Sequence, residues 1–341
     1  MEILRKLFWL MAVAALLVAA SACAEDEEEE FETKKYMYGS VDFDIPSYVL
    51  KGELVTLTAS GIITPVDVKY RWYIKGIYSD SLNASKVTVR FPDSLGVFSV
   101  AGYAYADDYY LSTTTKTVTT VDTAFNASLS GLFPSGQSVV DTRDGKKYSY
   151  VTVGSLDWFT QNLAYQKTGI PYENSPEAWS LFGNFYTWNE ATGGVSASGL
   201  GCGPQGACPE GWSVPTAEDW ADFASAISEV AVPFIDSWKG LGDDCSADAY
   251  LNGERMWPFS PDNLHKNTVG WNAIPLGNAT SEADSFSNYG SYAFWWASTE
   301  KNAEQGYYRY IYKDLDSFPV AATSKSDFRA CVRCVRMHPQ F

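Results

Sequence analysis

The sequence predicts a β-rich chain in two parts, an all-β sandwich over residues 36–121 and an α+β domain over residues 139–337, joined by a linker at 122–138. Three observations predict this. From Tyr36 to Val121 apolar residues alternate with polar ones without helical periodicity, as half-buried antiparallel strands require. The stretch "DTAFNASLSGLFPSGQS" (122–138) is rich in Ser and Gly, which suits a linker. From Val139 onward tryptophan becomes dense, Gly, Asn and Asp cut the chain into short pieces, and one amphipathic segment has the spacing of a helix.

In the first part, "LVTLTA" directs Val55 and Leu57 to one face. "VKYRWYI" directs Val68, Tyr70, Trp72 and Ile74 one way and Lys69, Arg71 and Tyr73 the other, and "KVTVRF" repeats the pattern through Val87, Val89 and Phe91. Turn signals at Lys51-Gly52, Gly61, Asp80, Pro92-Asp93 and Asp107-Asp108 separate the strands. The run from Phe91 to Asp108, arriving after "YRWYI", resembles the polycystic-kidney-disease (PKD) and immunoglobulin-like (Ig) modules of bacterial surface proteins. That resemblance implies an Ig/PKD-like β-sandwich acting as a spacer, with Trp72 as the core indole and Tyr103 or Tyr105 on the penultimate strand.

The second part opens with "DTRDGKKYSYVTVGSLDWFTQNL", which reads as a hairpin across Asp144-Gly145, a strand to Val153, a Gly turn and a strand carrying Trp158. "FGNFYTWNEA", "CPEGWSVPTAEDWADF", "GWNAIPLGN", "SYAFWWASTE", "YYRYIY" and "ACVRCVR" follow in that order. Thr216 with Asp219 three residues on marks a helix start, and Trp220, Phe223, Ala224 and Ile227 recur at i, i+3, i+4, i+7. This succession resembles the Fibrobacter succinogenes major paralogous domain of surface lipoproteins over residues 139–337. The resemblance implies a C-type-lectin-like α+β fold, its helix lying on a sheet built from the Trp158, Trp295 and Cys334 strands.

Adjacent Trp295 and Trp296 must face opposite sides of a strand. Either both indoles are core, or one lines a sugar or peptide site. Trp295, Trp296, Tyr289 and Asn288 are the ligand-binding candidates. C-type lectins hold calcium through a Glu-Pro-Asn or Gln-Pro-Asp loop and a Trp-Asn-Asp. Here neither loop motif occurs and Trp271-Asn272-Ala273 lacks the carboxylate, so no metal or other cofactor is expected there, though Asp243, Asp244 and Asp248 supply hard oxygens elsewhere.

At the N-terminus, Arg5 and Lys6 precede an apolar run, Leu7 to Ala20, too short to cross a bilayer as a mature helix. Ala20-Ser21-Ala22-Cys23 then resembles a bacterial lipobox, implying a signal peptide at 1–22 and lipidation of Cys23. Residues 23–35, with the run "AEDEEEE", would form a solvated acidic tether, and acids after the lipidated Cys resemble the surface-export signal of Bacteroidetes-like lipoproteins. The expectation is an outer-membrane protein anchored by lipid and facing outward. With 41 acids against 25 bases and a net charge of −16, a nucleic-acid partner is not expected. A glycan or a surface protein is.

Outside the cytosol the remaining cysteines, Cys202, Cys208, Cys245, Cys331 and Cys334, should form at most two disulfides. Cys202 encloses only "GPQGA" with Cys208, so Cys202–Cys208 and Cys245–Cys331 are the expected pairs. A pair of cysteines near the chain end also resembles the formylglycine-generating oxidases. On a strand, however, Cys331 and Cys334 face opposite sides, which favours a non-catalytic binding module.

Overall fold

In a computed structural model, residues 34–77, 82–122, 128–165, 167–281 and 285–339 are described. The leader, Cys23 and most of the acidic tether lie outside them. Among the described residues no helix is long and apolar enough to cross a membrane. The chain is β-rich throughout.

The first part holds β1 (Gly39–Asp42), β2 (Tyr48–Leu50), β3 (Leu54–Thr58), β4 (Ser60–Ile62), β5 (Lys69–Ile74), β6 (Lys86–Arg90), β7 (Gly96–Tyr105) and β8 (Ser112–Val121). A four-stranded sheet runs β2-β8-β7-β5, with β3–β6 and β1–β4 as separate antiparallel pairs. The alternation read from sequence sets what is buried. Val55, Leu57 and Val89 from the β3–β6 pair meet Val49, Trp72, Ile74, Val100 and Val118 from the larger sheet in one core. Trp72 donates its indole N–H to Ala84 O at 2.8 Å, and Phe43 packs against it edge-on at 5.0 Å. Gly102 pairs with Trp72 in register, and a Cβ there would come within 3.1 Å of both rings. Tyr103 and Tyr105 sit half-buried on β7.

The second part holds β9 (Leu129–Ser130), β10 (Gln137–Val140), β11 (Lys147–Val153), β12 (Leu156–Phe159), β13 (Ile170–Pro171), α1 (Ala178–Phe182), β14 (Asn184–Thr187), α2 (Trp188–Thr192), α3 (Ala217–Ser228) and α4 (Leu241–Cys245). It continues with β15 (Tyr250–Leu251), β16 (Glu254–Arg255), β17 (Asn278–Thr280), β18 (Phe286–Ser287), β19 (Tyr292–Glu300), β20 (Gln305–Tyr312), β21 (Val320–Ser324), β22 (Phe328–Ala330) and β23 (Val335–Met337). These form sheets ordered β10-β11-β12-β23, β13-β14-β22-β17-β18, β19-β20-β21 and β16-β15-β9. The Trp158 strand therefore pairs with β23, while the Trp295 strand belongs to a different sheet and meets the Cys-rich segment through a single bridge, Trp295 to Cys331.

The helix α3 forms where its capping residues and apolar stripe place it. Thr216 Oγ1 accepts from Asp219 N at 3.1 Å while Asp219 Oδ2 accepts from Thr216 N at 2.9 Å. Trp220, Phe223 and Ala224 are buried, and Trp158 packs at 4.8 Å from both aromatic rings. Strand β19 divides two cores, one containing Trp158, Trp220, Trp271 and Trp295 and the other Tyr148, Trp188, Trp212 and Trp296.

Much of the segment read as a linker is packed structure. Leu129 and Ser128 are buried, β9 pairs with β15, and Asn252 N donates to Ser128 O at 2.7 Å. Ser and Gly are frequent in this stretch, but its apolar residues Leu129 and Leu132 pack on the larger core and decide its fate. Tyr48 and Val121 of the first part lie in the same core as Trp158, and Tyr48 packs edge-on to Phe182 at 5.5 Å.

Candidate functional site

A concavity of about 610 Å³ lies between the segment 129–135 and the β11 edge. That volume falls in the range of small-molecule sites, roughly 300–1,000 Å³. One wall is the segment Leu129 to Ser135, held in place from three directions. Strand β9 pairs with β15, and Ser135 Oγ donates to Tyr150 O. Asn272 grips Phe133 by both backbone groups, accepting from its N–H at 2.8 Å and donating to its C=O at 3.0 Å. Gly131 must be glycine, because its φ is +79° and a Cβ would lie 2.2 Å from Asp248 O.

Lys146, Lys147 and Ser149 form the opposite wall with Thr160 and Gln161, and Ser180 of α1 closes one end. Gln161 Nε2 donates to Lys147 O at 3.0 Å, and Thr160 N donates to Ser149 O at 2.9 Å. Lys146 stands over the Trp179 ring, its Nζ 4.4 Å from the centroid, and donates to Ser180 O at 3.1 Å. Burial pushes its ammonium down to about 8, against a small opposing pull from Asp144. Phe133 is 61% exposed and offers an aromatic face at the rim.

The floor is a fixed polar network. A small cavity, lined among others by Thr160, Gln161, Asn162, Asn272 and Arg333, continues beneath the groove. Arg333 is buried and donates to Asn162 Oδ1 at 2.8 Å, Phe159 O at 3.1 Å, Trp271 O at 2.8 Å and Asn272 O at 3.0 Å. All four partners are neutral. Desolvation lowers the guanidinium below its ordinary value, and stacking over Trp271 at 4.6 Å gives it an aromatic neighbour.

The four residues expected to bind ligand separate. Trp295 is 1% exposed and donates to Asn162 Oδ1 at 2.9 Å, while Trp296 is 0% exposed and donates to Tyr186 O at 2.7 Å. Both indoles are core, so the reading in which one lines a sugar or peptide site is corrected: each face of β19 is covered. Asn288, with φ 65°, bonds Asn278 Oδ1 at 2.6 Å in a turn. Tyr289 packs on Tyr172 at 5.3 Å. None of the four lines the groove. Its walls include residues of the supposed linker and Lys146 of the "DGK" hairpin, and the apolar pair Leu132-Phe133 inside a polar stretch is the signal that marks them.

The disulfide expectations are also corrected. Cys208 bonds Cys334, with Cα atoms 5.9 Å apart, leaving Cys202 exposed and Cys245 and Cys331 buried as free thiols. Closeness in sequence misled, because Cys208 turns into the core around Trp296 while Cys202 stays at the surface. Cys331 and Cys334 do face opposite sides, one in each core, and desolvation pushes the Cys331 thiol up to about 12. Asp243, Asp244 and Asp248 are taken up by Lys266, Thr268 and Arg255, respectively. Asn272, in the run Trp271-Asn272-Ala273, clamps the groove wall.

Two further polar clusters are built into the fold. Asp157 is buried, which alone would raise its pKa, but bonds from Thr152, Arg336 and His338 hold its carboxyl below the usual value. His265 stacks on Trp257 at 4.9 Å with Nδ1 2.8 Å from Ser246 Oγ, and burial pushes it down to about 4. Among the described residues no group of three or more His, Cys, Asp or Glu is arranged to hold a metal.

No curated protein matches the chain. The model of the Fibrobacter succinogenes major domain matches residues 151–336, more than half of the chain, and these residues carry the Trp158 strand, the capped helix α3, β19 and the Cys208–Cys334 bond. The chain belongs to the Fibrobacter succinogenes major domain family.

Proposed function

We propose that this protein is a lipid-anchored, outward-facing surface protein that binds a glycan in the groove between the segment 129–135 and Lys146, without catalysis. In this reading Cys23 carries the anchor, the acidic tether spans the surface layer, and an Ig/PKD-like module holds up a C-type-lectin-like domain. The observation that carries the reading is the groove itself. Hydroxyl and amide groups of Ser130, Ser149, Thr160 and Gln161 line it together with an exposed aromatic ring, Phe133. Sugars present hydroxyls around a ring whose C–H face packs on aromatics, so such a lining suits them.

A glycan and protein array probed with the secreted full chain tests this. Binding to a glycan class that drops at least tenfold in both Phe133→Ala and Gln161→Ala is the expected outcome. Signal confined to protein spots, or glycan binding that survives both substitutions, would remove the groove from the reading.

A further inference from the structure

We propose that the groove selects acidic saccharides, with the carboxylate of a uronic-acid unit seated against Lys146. This rests on the glycan reading above and names its ligand class. The lining contains Lys146 and Lys147 and no Asp or Glu, in a chain where 41 acids outnumber 25 bases. A cationic hollow in an anionic protein concentrates field on whatever enters it.

Lys146 is not paired with an acid: Asp144 pulls on it electrostatically but takes its hydrogen bond, 3.0 Å long, from the backbone N–H of Lys146. Its ammonium has three donors. Its hydrogen bond goes to a neutral acceptor, Ser180 O at 3.1 Å, and among the described residues it forms no ion pair. Trp179 covers one side of it, and Lys147 adds a second cation on the same wall. Beneath them Arg333 bonds only neutral oxygens. Three cations thus border one hollow and its small extension with no acid lining either. An incoming carboxylate supplies the missing partner in a partly desolvated place, where ionic hydrogen bonds are strong. Neutral donors and acceptors nearby complete a sugar site. The hydroxyls of Ser130 and Ser149 make no hydrogen bond among the described residues, and Phe133 supplies a face for a pyranose ring.

The test measures affinity of the full chain for oligosaccharides bearing galacturonate, mannuronate or glucuronate, each beside its carboxyl-reduced neutral partner, at low and high salt. At least one uronate is expected to bind tenfold or more tighter than its neutral partner, with the difference shrinking as salt rises. Lys146→Gln should abolish that difference, Lys146→Arg should restore most of it, and the melting temperature of Lys146→Gln checks that the fold is intact. Sulfated neutral sugars binding as tightly as uronates would replace carboxylate selection by general anion capture and overturn the proposal. Equal binding of acidic and neutral partners would overturn charge selection and leave a saccharide site. Binding of neither class would sink the glycan reading, and this inference with it.

Discussion

Asn272 is a single residue on which the groove wall depends. It occupies the left-handed region at φ 59°, accepts from Phe133 N and from Asn267 Nδ2 at 2.7 Å, and donates to Phe133 O. Asn tolerates that backbone well and Ala does not. Asn272→Ala should therefore destabilise the protein by about 2–4 kcal/mol, from orphaned buried groups plus backbone strain, and should weaken saccharide binding by freeing Phe133. Urea denaturation and binding assays on one preparation check both effects; unchanged stability would mean the clamp is dispensable. His265 sets a different dependence. Its pKa lies near 4 when folded against 6.5 for the free side chain, because burial and Arg255 disfavour the charged form more than Asp243 and Asp248 favour it. The unfolded chain thus takes up a proton first, so the neutral imidazole costs nothing above pH 6.5 and progressively lowers stability as pH falls from 6.5 towards 4. The loss should reach on the order of 2 kcal/mol. In His265→Asn the fall in stability between pH 7 and pH 4.5 should be shallower by that amount, and parallel pH profiles for the two proteins would refute it.

At the scale of elements, the Cys208–Cys334 bond ties the turn before α3 to the segment entering β23, across 126 residues of chain. Closing so long a loop restricts the unfolded ensemble, and removal by Cys208→Ser with Cys334→Ser should cost about 3–5 kcal/mol in chemical denaturation. With Cys23 replaced by Ser, thiol titration of the folded chain should count one fast thiol, Cys202, and two more after denaturation, since Cys245 and Cys331 are buried. Two fast thiols would place one of those two at the surface. These elements also show what the sequence makes legible. The helix α3 is written locally, in Thr216, Asp219 and a stripe at helical spacing, and the strand around Trp72 is written in strict alternation. Both follow from neighbours within a few residues. Disulfide partners and the groove do not, because each depends on residues more than 100 positions apart meeting, as Phe133 meets Asn272, whereas the Trp295 strand finds its partner β20 close by in sequence. The hydrogen bond by which Gly201 N donates to Asp219 Oδ1 at 2.6 Å, reaching 18 residues along the chain, leaves no local signal either.

For the whole molecule, the question is whether the two parts stand independently. The first has its own core around Trp72. Even so, Tyr48 and Val121 are buried with Trp158 and Phe182 in the larger core, and Ser175 Oγ donates to Tyr48 O at 2.8 Å. The segment 129–135 that walls the groove begins a few residues after β8, and Asn252 bonds Thr120 O from β8 and Ser128 O from that segment's start. A chain cut to begin at residue 128 would expose the Tyr172 and Phe182 rings that Tyr48 now covers at 6.0 and 5.5 Å. Uncovering buried aromatic surface costs roughly 25 cal/mol per Å². The shortened chain should therefore melt below the full one, and Tyr48→Ala in the full chain should reproduce part of the drop, about 2–4 kcal/mol, without unfolding the Trp72 core. Calorimetry separates the cases. A truncated chain melting at the full chain's temperature would make the first part a mere spacer, whereas a lowered transition together with weakened saccharide binding would make it a buttress for the groove wall.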